Sequence, residues 1–328
     1  MEEILLSVCC TSYNHEKYIR DALEGFLHQK VKFKYEILIH DDASTDKTSQ
    51  IIQEYEKKYP EIIKPIYQTQ NQYSKGMQIH YTFNHTRAKG KYIAWCEADD
   101  YWIDQNKLQK QVDYLEKHPN CSISCHASYA LNVNSRKTEK ISPFHTATQF
   151  ILNDFLEKQI TFSTPTICYR KELFDDVPSF YHDCPVGDVP LKMFLLVKGY
   201  GYFMPEAMAV YRKNVIGSWT NRIAINHQKN IAHQKKMILF LQQFNHYFNH
   251  KYEKSLNTYI HKRNYLILIH AMLMNYENRK APEFNSLYNK LSTKEKLSLF
   301  IRCKIPFLFE SIKKISNHSK FLLDKIFY

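Results

Sequence analysis

Strand and helix signals alternate through residues 1–130, and this alternation restricts the fold more than any other feature of the chain. Residues 4–10 form a short apolar run, and Tyr18, Ile19, Ala22, Leu23, Phe26 and Leu27 then share one helical stripe within 16–28. Residues 35–40 and 62–67 read as strands, and 47–58, after the N-cap candidate Asp46, as a helix. Residues 91–96 are almost continuously apolar, the pattern of a strand buried on both faces. Asp104 then caps a helix with Leu108, Val112 and Leu115 on one side, ending near His118-Pro119. Strands alternating with helices predict an α/β domain with a mostly parallel sheet covered on both faces. From about 140 to 220 the pattern loosens: a helix over 148–158, a short strand over 166–169, a helix ending at Lys198-Gly199, and an extended segment over 200–211.

Composition narrows the choice. The 328 residues are 44% hydrophobic and 24% charged, with 7 Gly and 11 Pro, which excludes a disordered, collagen-like or small disulfide-stapled chain. No apolar run reaches 18 residues, and no basic segment precedes the first apolar residues, so neither a membrane span nor a signal peptide is expected. Eight cysteines form no C-x-x-C pair and read as reduced core thiols. His246 and His250 are four apart but lack a third ligand, so no zinc site is expected.

The formal charge of +12 is unevenly placed. Residues 221–328 hold 19 Lys and Arg against 6 Asp and Glu, whereas 1–220 hold 26 against 27. A nearly neutral domain over 1–220 thus precedes a basic, helical region over 221–328. That region interleaves Phe300, Ile301, Phe307 and Phe321 with Arg302, Lys304, Lys313 and Lys320. The mixture suits an interfacial helix on an anionic membrane, or equally a helical extension that packs on the first domain or on a second copy. No nucleic-acid-binding module is recognisable.

Two acidic clusters, Asp41-Asp42 and Glu97-Ala-Asp-Asp100, stand at the C-terminal ends of strands, where open α/β sheets bind ligands. Glu97, Asp99 and Asp100 suit a hard divalent cation, which takes oxygen ligands and shares its shell with a diphosphate. Asp188, in Gly187-Asp-Val-Pro190, reads either as a helix N-cap or as a carboxylate presented to a pocket.

Taken in order, Cys10-Thr-Ser-Tyr-Asn14, Asp41-Asp-Ala-Ser-Thr-Asp46, Ala88-Lys-Gly-Lys-Tyr-Ile93 before Glu97-Ala-Asp-Asp-Tyr-Trp102, and Gly187-Asp188 resemble the motifs of a family 2 glycosyltransferase. The resemblance covers roughly residues 3–220 and implies a GT-A fold, of the type that builds bacterial surface polysaccharides. It implies that Thr11, Tyr13 and Asn14 line the nucleotide base, that Asp42 bonds the imide edge of uracil with Asp41 beside it, and that Glu97, Asp99 and Asp100 form a version of the D-x-D motif. Asp99 and Asp100 would share ribose and metal contacts, the ion being Mn or Mg. Asp188 would be the general base, and Trp219 would close over the diphosphate or acceptor. The sequence departs from the family where Tyr211-Arg212 is followed by Lys213-Asn214 rather than by a histidine, which makes Arg212 and Lys213 candidates for diphosphate or acceptor contacts. It also lacks an Ala-Arg-Asn segment within 71–80.

The resemblance therefore implies an inverting transfer from a nucleotide-sugar, UDP-linked, to a saccharide or lipid-linked acceptor in the cytoplasm or at the membrane's cytoplasmic face, with a homo-oligomer open. A nucleotidyltransferase would need a Gly-rich phosphate loop near the N-terminus, which is missing. A non-catalytic protein that holds membrane or nucleic acid is the other rival.

Overall fold

The computed structural model describes residues 3–218, 223 and 226–309, so Trp219 and the residues beyond 309 lie outside it. The chain divides into two compact units, Met1–Ser218 and Trp219–Tyr328.

The first unit is built on a mixed sheet. Its strands are β1 (Ile4–Ser12), β2 (Lys34–Asp41), β3 (Ile63–Tyr67), β4 (Tyr92–Glu97), β5 (Tyr101–Trp102), β6 (Cys121–Asn132), β7 (Thr138–Ile141), β8 (Thr148–Phe150), β9 (Cys168–Arg170) and β10 (Tyr200–Lys213). They run in the order β3-β2-β1-β4-β9-β6-β10-β5, with β7 on β6 and β8 on β10. The β3-β2-β1-β4 block is parallel, as is β6 with β10, while β9 runs antiparallel between β4 and β6. Val8, Cys9 and Cys10 are all fully buried, as a strand covered on both faces requires.

Among the described residues this unit has five α-helices: α1 (Ile19–Leu27), α2 (Thr48–Lys58), α3 (Lys107–Lys117), α4 (Leu152–Glu157) and α5 (Asp188–Lys198). Ile19, Ala22, Leu23 and Phe26 form the buried stripe of α1, at the i, i+3, i+4, i+7 spacing of an amphipathic helix. Phe26 meets Trp102 edge-on, with ring centroids 4.6 Å apart, a pairing worth about 0.5–1.5 kcal/mol beyond burial.

The helix expected over 148–158 is divided. Residues Thr148–Phe150 instead pair with Gly201–Phe203 of β10, and the helix begins only at Leu152. Gly201 makes this possible, since a Cβ there would lie 2.4 Å from the Phe150 ring.

The second unit contains α6 (His227–Tyr247), α7 (Glu253–Met274), α8 (Pro282–Asn289) and α9 (Thr293–Lys304). Ile231, Leu268, Met272, Phe284, Leu291 and Leu299 form part of its core. Asn226 caps α6 by accepting the Lys229 N–H, and Ser292 and Glu295 form a capping box at the start of α9. Among the described residues no helix is long and apolar enough to cross a membrane.

Candidate active site

Adjacent parallel strands bring three loops to one edge of the sheet. Thr11 of β1 stands in register with His40 of β2 and with Glu97 of β4, and Ser12 with Asp41. The turn after β4 is tight: Ala98 N–H donates to the Thr11 carbonyl at 3.0 Å, and Asp100 N–H to the Glu97 carbonyl at 3.0 Å. This turn presents Glu97, Asp99 and Asp100 together.

Burial sets the electrostatics of the turn. The Glu97 carboxyl is pushed up to about 8, chiefly by burial, with Asp99 and Asp188 adding repulsion. Burial also raises the Asp100 carboxyl well above the ordinary carboxylate range, again with Asp99 contributing. Asp100 Oδ1 accepts the backbone N–H of Arg212 at 2.8 Å, whereas its Oδ2 is buried without a partner among the described residues. Asp99 Oδ2 lies 3.9 Å from His15 Nε2.

An unpartnered buried carboxylate oxygen beside two further carboxylates fits a hard divalent cation, which would satisfy that oxygen and relieve the crowding. Among the described residues no group of three or more His, Cys, Asp or Glu is arranged to hold a metal alone. The protein side therefore suits an ion bound by one or two carboxylates, with water and diphosphate oxygens completing its shell.

Asp188 is the first residue of α5, and Gly187, not Asp188, is the N-cap. The N-cap reading of Asp188 is thereby corrected. Gly187 fits where a Cβ would lie 3.1 Å from Gln78 Oε1 and 3.5 Å from Trp95. Lys192, one turn along α5, donates from Nζ to Asp188 Oδ2 at 2.8 Å. Burial alone would raise the Asp188 carboxyl, but the Lys192 ammonium and backbone N–H groups outweigh it and hold it below the ordinary carboxylate range.

The residues expected to line the nucleotide are tied to one another. Asp41 accepts hydroxyl bonds from Ser12 at 3.1 Å and from Ser44 and Ser49 at 2.5 Å each. Asp42 accepts the backbone N–H groups of Gln72 at 2.7 Å and Tyr73 at 3.0 Å. Asn14 is in the left-handed region at φ 57°, and its Oδ1 accepts the Thr45 N–H at 2.8 Å. The loop after β1 is thus locked to the loop after β2, with Thr11 half-buried and Tyr13 exposed beside it.

Arg212 and Lys213 have partners other than the diphosphate expected of them. Arg212 is buried, donates from Nη1 to the Asp99 carbonyl at 2.8 Å, pairs with Asp21, and lies over the rings of Tyr18 and Tyr101. Lys213 pairs with Glu139 at 2.6 Å. Trp219 lies outside the described residues. Sequence reasoning missed Lys192 and His15. The i, i+4 spacing of Asp188 and Lys192 was the one available signal for the first, and none marked the second.

Comparison with known proteins bears on the family and the fold. An uncharacterized Mycobacterium tuberculosis protein, Rv1520, is 36% identical over 220 residues, 65% of this chain and 60% of its own length. This chain therefore spans less than two thirds of that relative. The putative teichuronic acid biosynthesis glycosyltransferase TuaG of Bacillus subtilis is 29% identical over 210 residues, 63% of this chain and 79% of its own. Among solved structures, S. aureus TarS 1-349 in complex with UDP-GlcNAc superposes with a TM-score of 0.56 at 19% identity, covering 92% of this chain and 79% of that one. The shared architecture is the GT-A type, an α/β sheet domain followed by helices. Residues 7–177, more than half of the chain, match the family described as Glycosyl transferase family 2, and this chain is a member of it.

Proposed function

We propose that the protein transfers a sugar from a UDP-sugar to a hydroxyl of a saccharide or lipid-linked acceptor, with inversion at the anomeric carbon. The observation that carries this reading is Asp188: a carboxylate kept ionised by Lys192 and close enough to the acidic turn to raise the Glu97 carboxyl. In this reading Asp188 takes the acceptor's hydroxyl proton while that oxygen bonds to the anomeric carbon and the carbon–diphosphate bond breaks, releasing UDP. Asp99 and Asp100 would hold a divalent ion, Mn or Mg, whose charge offsets that developing on the leaving diphosphate.

The loops bearing Thr11, Tyr13, Asn14, Asp41 and Asp42 would shape the nucleotide pocket, with Glu97 beside the ribose. Arg212, whose backbone N–H holds Asp100, is a positioning residue in this scheme. Trp219 and Lys213 remain candidates for acceptor contacts. The teichuronic acid biosynthesis ascribed to TuaG and the UDP-GlcNAc bound to TarS support an acceptor of the bacterial surface-polysaccharide kind and a UDP-linked donor. We place the reaction at the cytoplasmic face of the membrane, approached through the basic C-terminal region. The test is UDP release from a panel of UDP-sugars, with and without Mn and with candidate acceptors. Release that Mn does not stimulate and Asp188→Asn does not reduce would overturn the proposal.

A further inference from the structure

Lys192 stands where a lysine is costly. Pro190, Leu191, Met193, Phe194, Leu195 and Leu196 of the same helix are all buried, and the Lys192 side chain itself is only 5% exposed. An ammonium group in such surroundings persists only with firm partners. It has three: Asp188 Oδ2 at 2.8 Å, the Phe162 carbonyl at 3.0 Å, and the Phe162 ring, 4.6 Å from Nζ to centroid. The Asp188 side chain, by contrast, is 32% exposed, so the pair has a buried cation and a carboxylate that reaches solvent. The other ionisable groups that act on this pair are Glu97 at the end of β4, Cys125 on β6 and Tyr181 in the turn before α5.

We infer that Lys192 is a positioning residue for the transfer reaction, holding Asp188 Oδ2 from the buried side so that Oδ1 faces the acceptor as the proton-accepting oxygen. The inference rests on the reading of Asp188 as the base. The acceptor proton passes to Asp188 Oδ1, the O–H electron pair forms the bond to the anomeric carbon, and the departing pair leaves with UDP. Lys192 gives up no proton in this step. Its contribution is the fixed orientation of the carboxylate and the depth to which it stays ionised as the pH falls.

A lysine that merely fills the helix would affect melting alone, so the deciding measurement is the pH profile of kcat. In Lys192→Met the acid limb is expected to move up by about one pH unit or more, as for a carboxylate that loses a neighbouring cation. We expect kcat to fall about 10–100-fold, with KM for the UDP-sugar within about twofold, because the donor is bound elsewhere. Lys192→Gln, which removes the charge but keeps a polar N–H donor on a side chain one bond shorter, guards against a Met variant that does not fold, and its limb should move likewise. Lys192→Arg should return the limb toward its wild-type position. Combined with Asp188→Asn, Lys192→Gln should slow transfer no further, since the lysine acts through that carboxylate. An unmoved acid limb in Lys192→Gln, or full additivity in the double variant, overturns the inference. Undiminished transfer by Asp188→Asn alone would instead overturn the assignment of the base.

Discussion

Asp42 accepts the backbone N–H of Tyr73 at 3.0 Å, and that of Gln72 at 2.7 Å, so one carboxylate ties the end of β2 to the loop thirty residues on. The same loop reaches Cys184, whose carbonyl accepts from Gln78 Nε2. A single segment therefore connects the expected nucleotide end of the site to the turn that precedes Asp188.

Asp42→Ala leaves two amides without their acceptor and should loosen the 71–75 segment. Hydrogen bonds to a charged group are worth about 1.5–3 kcal/mol, so UDP affinity should fall by roughly one to two powers of ten. Isothermal calorimetry checks this, and unchanged affinity would remove Asp42 from the pocket.

Asp99→Ala and Asp100→Ala should each abolish most transfer while leaving the fold intact. Loss of electrostatic support for a leaving group costs about 2.7–4 kcal/mol in the barrier, or roughly 10²–10³ in kcat. Saturating Mn should raise the wild-type melting temperature by about 5–10 °C at 100 times Kd. In Asp100→Ala that rise should be largely gone.

Asp188→Asn should keep UDP affinity within about twofold and lower transfer by about 10²–10⁴-fold. Because Gly187 is the cap, no capping bond is lost. Melting should nonetheless fall by a few degrees, since buried Lys192 would then face a neutral amide. Circular dichroism and a UDP-release assay on the same preparation separate the two effects.

The Glu97 carboxyl, at about 8 against the ordinary 4.5, gives a sign that can be worked out. Between those values the folded protein binds more protons than the unfolded chain, so this group lowers stability as pH rises. Glu97→Gln, neutral throughout, should therefore melt progressively higher than the wild type from pH 5 to pH 8 in metal-free buffer. A constant difference across that range would contradict the crowding of charges in the turn.

Leu299 is fully buried in the second unit, so α9 cannot be removed without opening that core. The membrane role of the basic region is better tested by deleting residues 310–328, which carry Lys313, Lys314, Lys320 and Lys325 among apolar residues. Deletion, or salt high enough to shorten screening well below about 8–10 Å, should release the protein from anionic vesicles and spare donor hydrolysis. Equal vesicle binding with and without the segment would favour a packing role instead.

The β1–β4 block was legible because its strands are apolar runs with helical stripes between them. β6 was not. In Cys121–Asn132 the polar residues Ser122, Ser124, His126 and Ser128 suggest a solvated face, yet all four are buried. The partners of the three serines come from other segments: Ser122 donates to the Tyr200 carbonyl, Ser128 meets Ser163, and Ser124 receives Gln111. Such long-range satisfaction leaves no local trace. The same holds within the site. The acidic turn was visible as residues at a strand end, but the Ser12 hydroxyl on Asp41 and the Phe162 carbonyl that holds Lys192 behind Asp188 arise only when separate segments meet.

The bond between Arg212 N–H and Asp100 Oδ1 spans 112 positions, and this has a consequence for the order in which the protein is made. At about 5–20 residues per second, roughly 6–22 s pass between the synthesis of Asp100 and that of its clamp. The β3-β2-β1-β4 block and its loops are already complete in the nascent chain during that interval. The loops proposed to cradle the nucleotide are therefore translated well before the partner that fastens the acidic turn, so on that proposal the ability to react is the last property the growing first unit acquires.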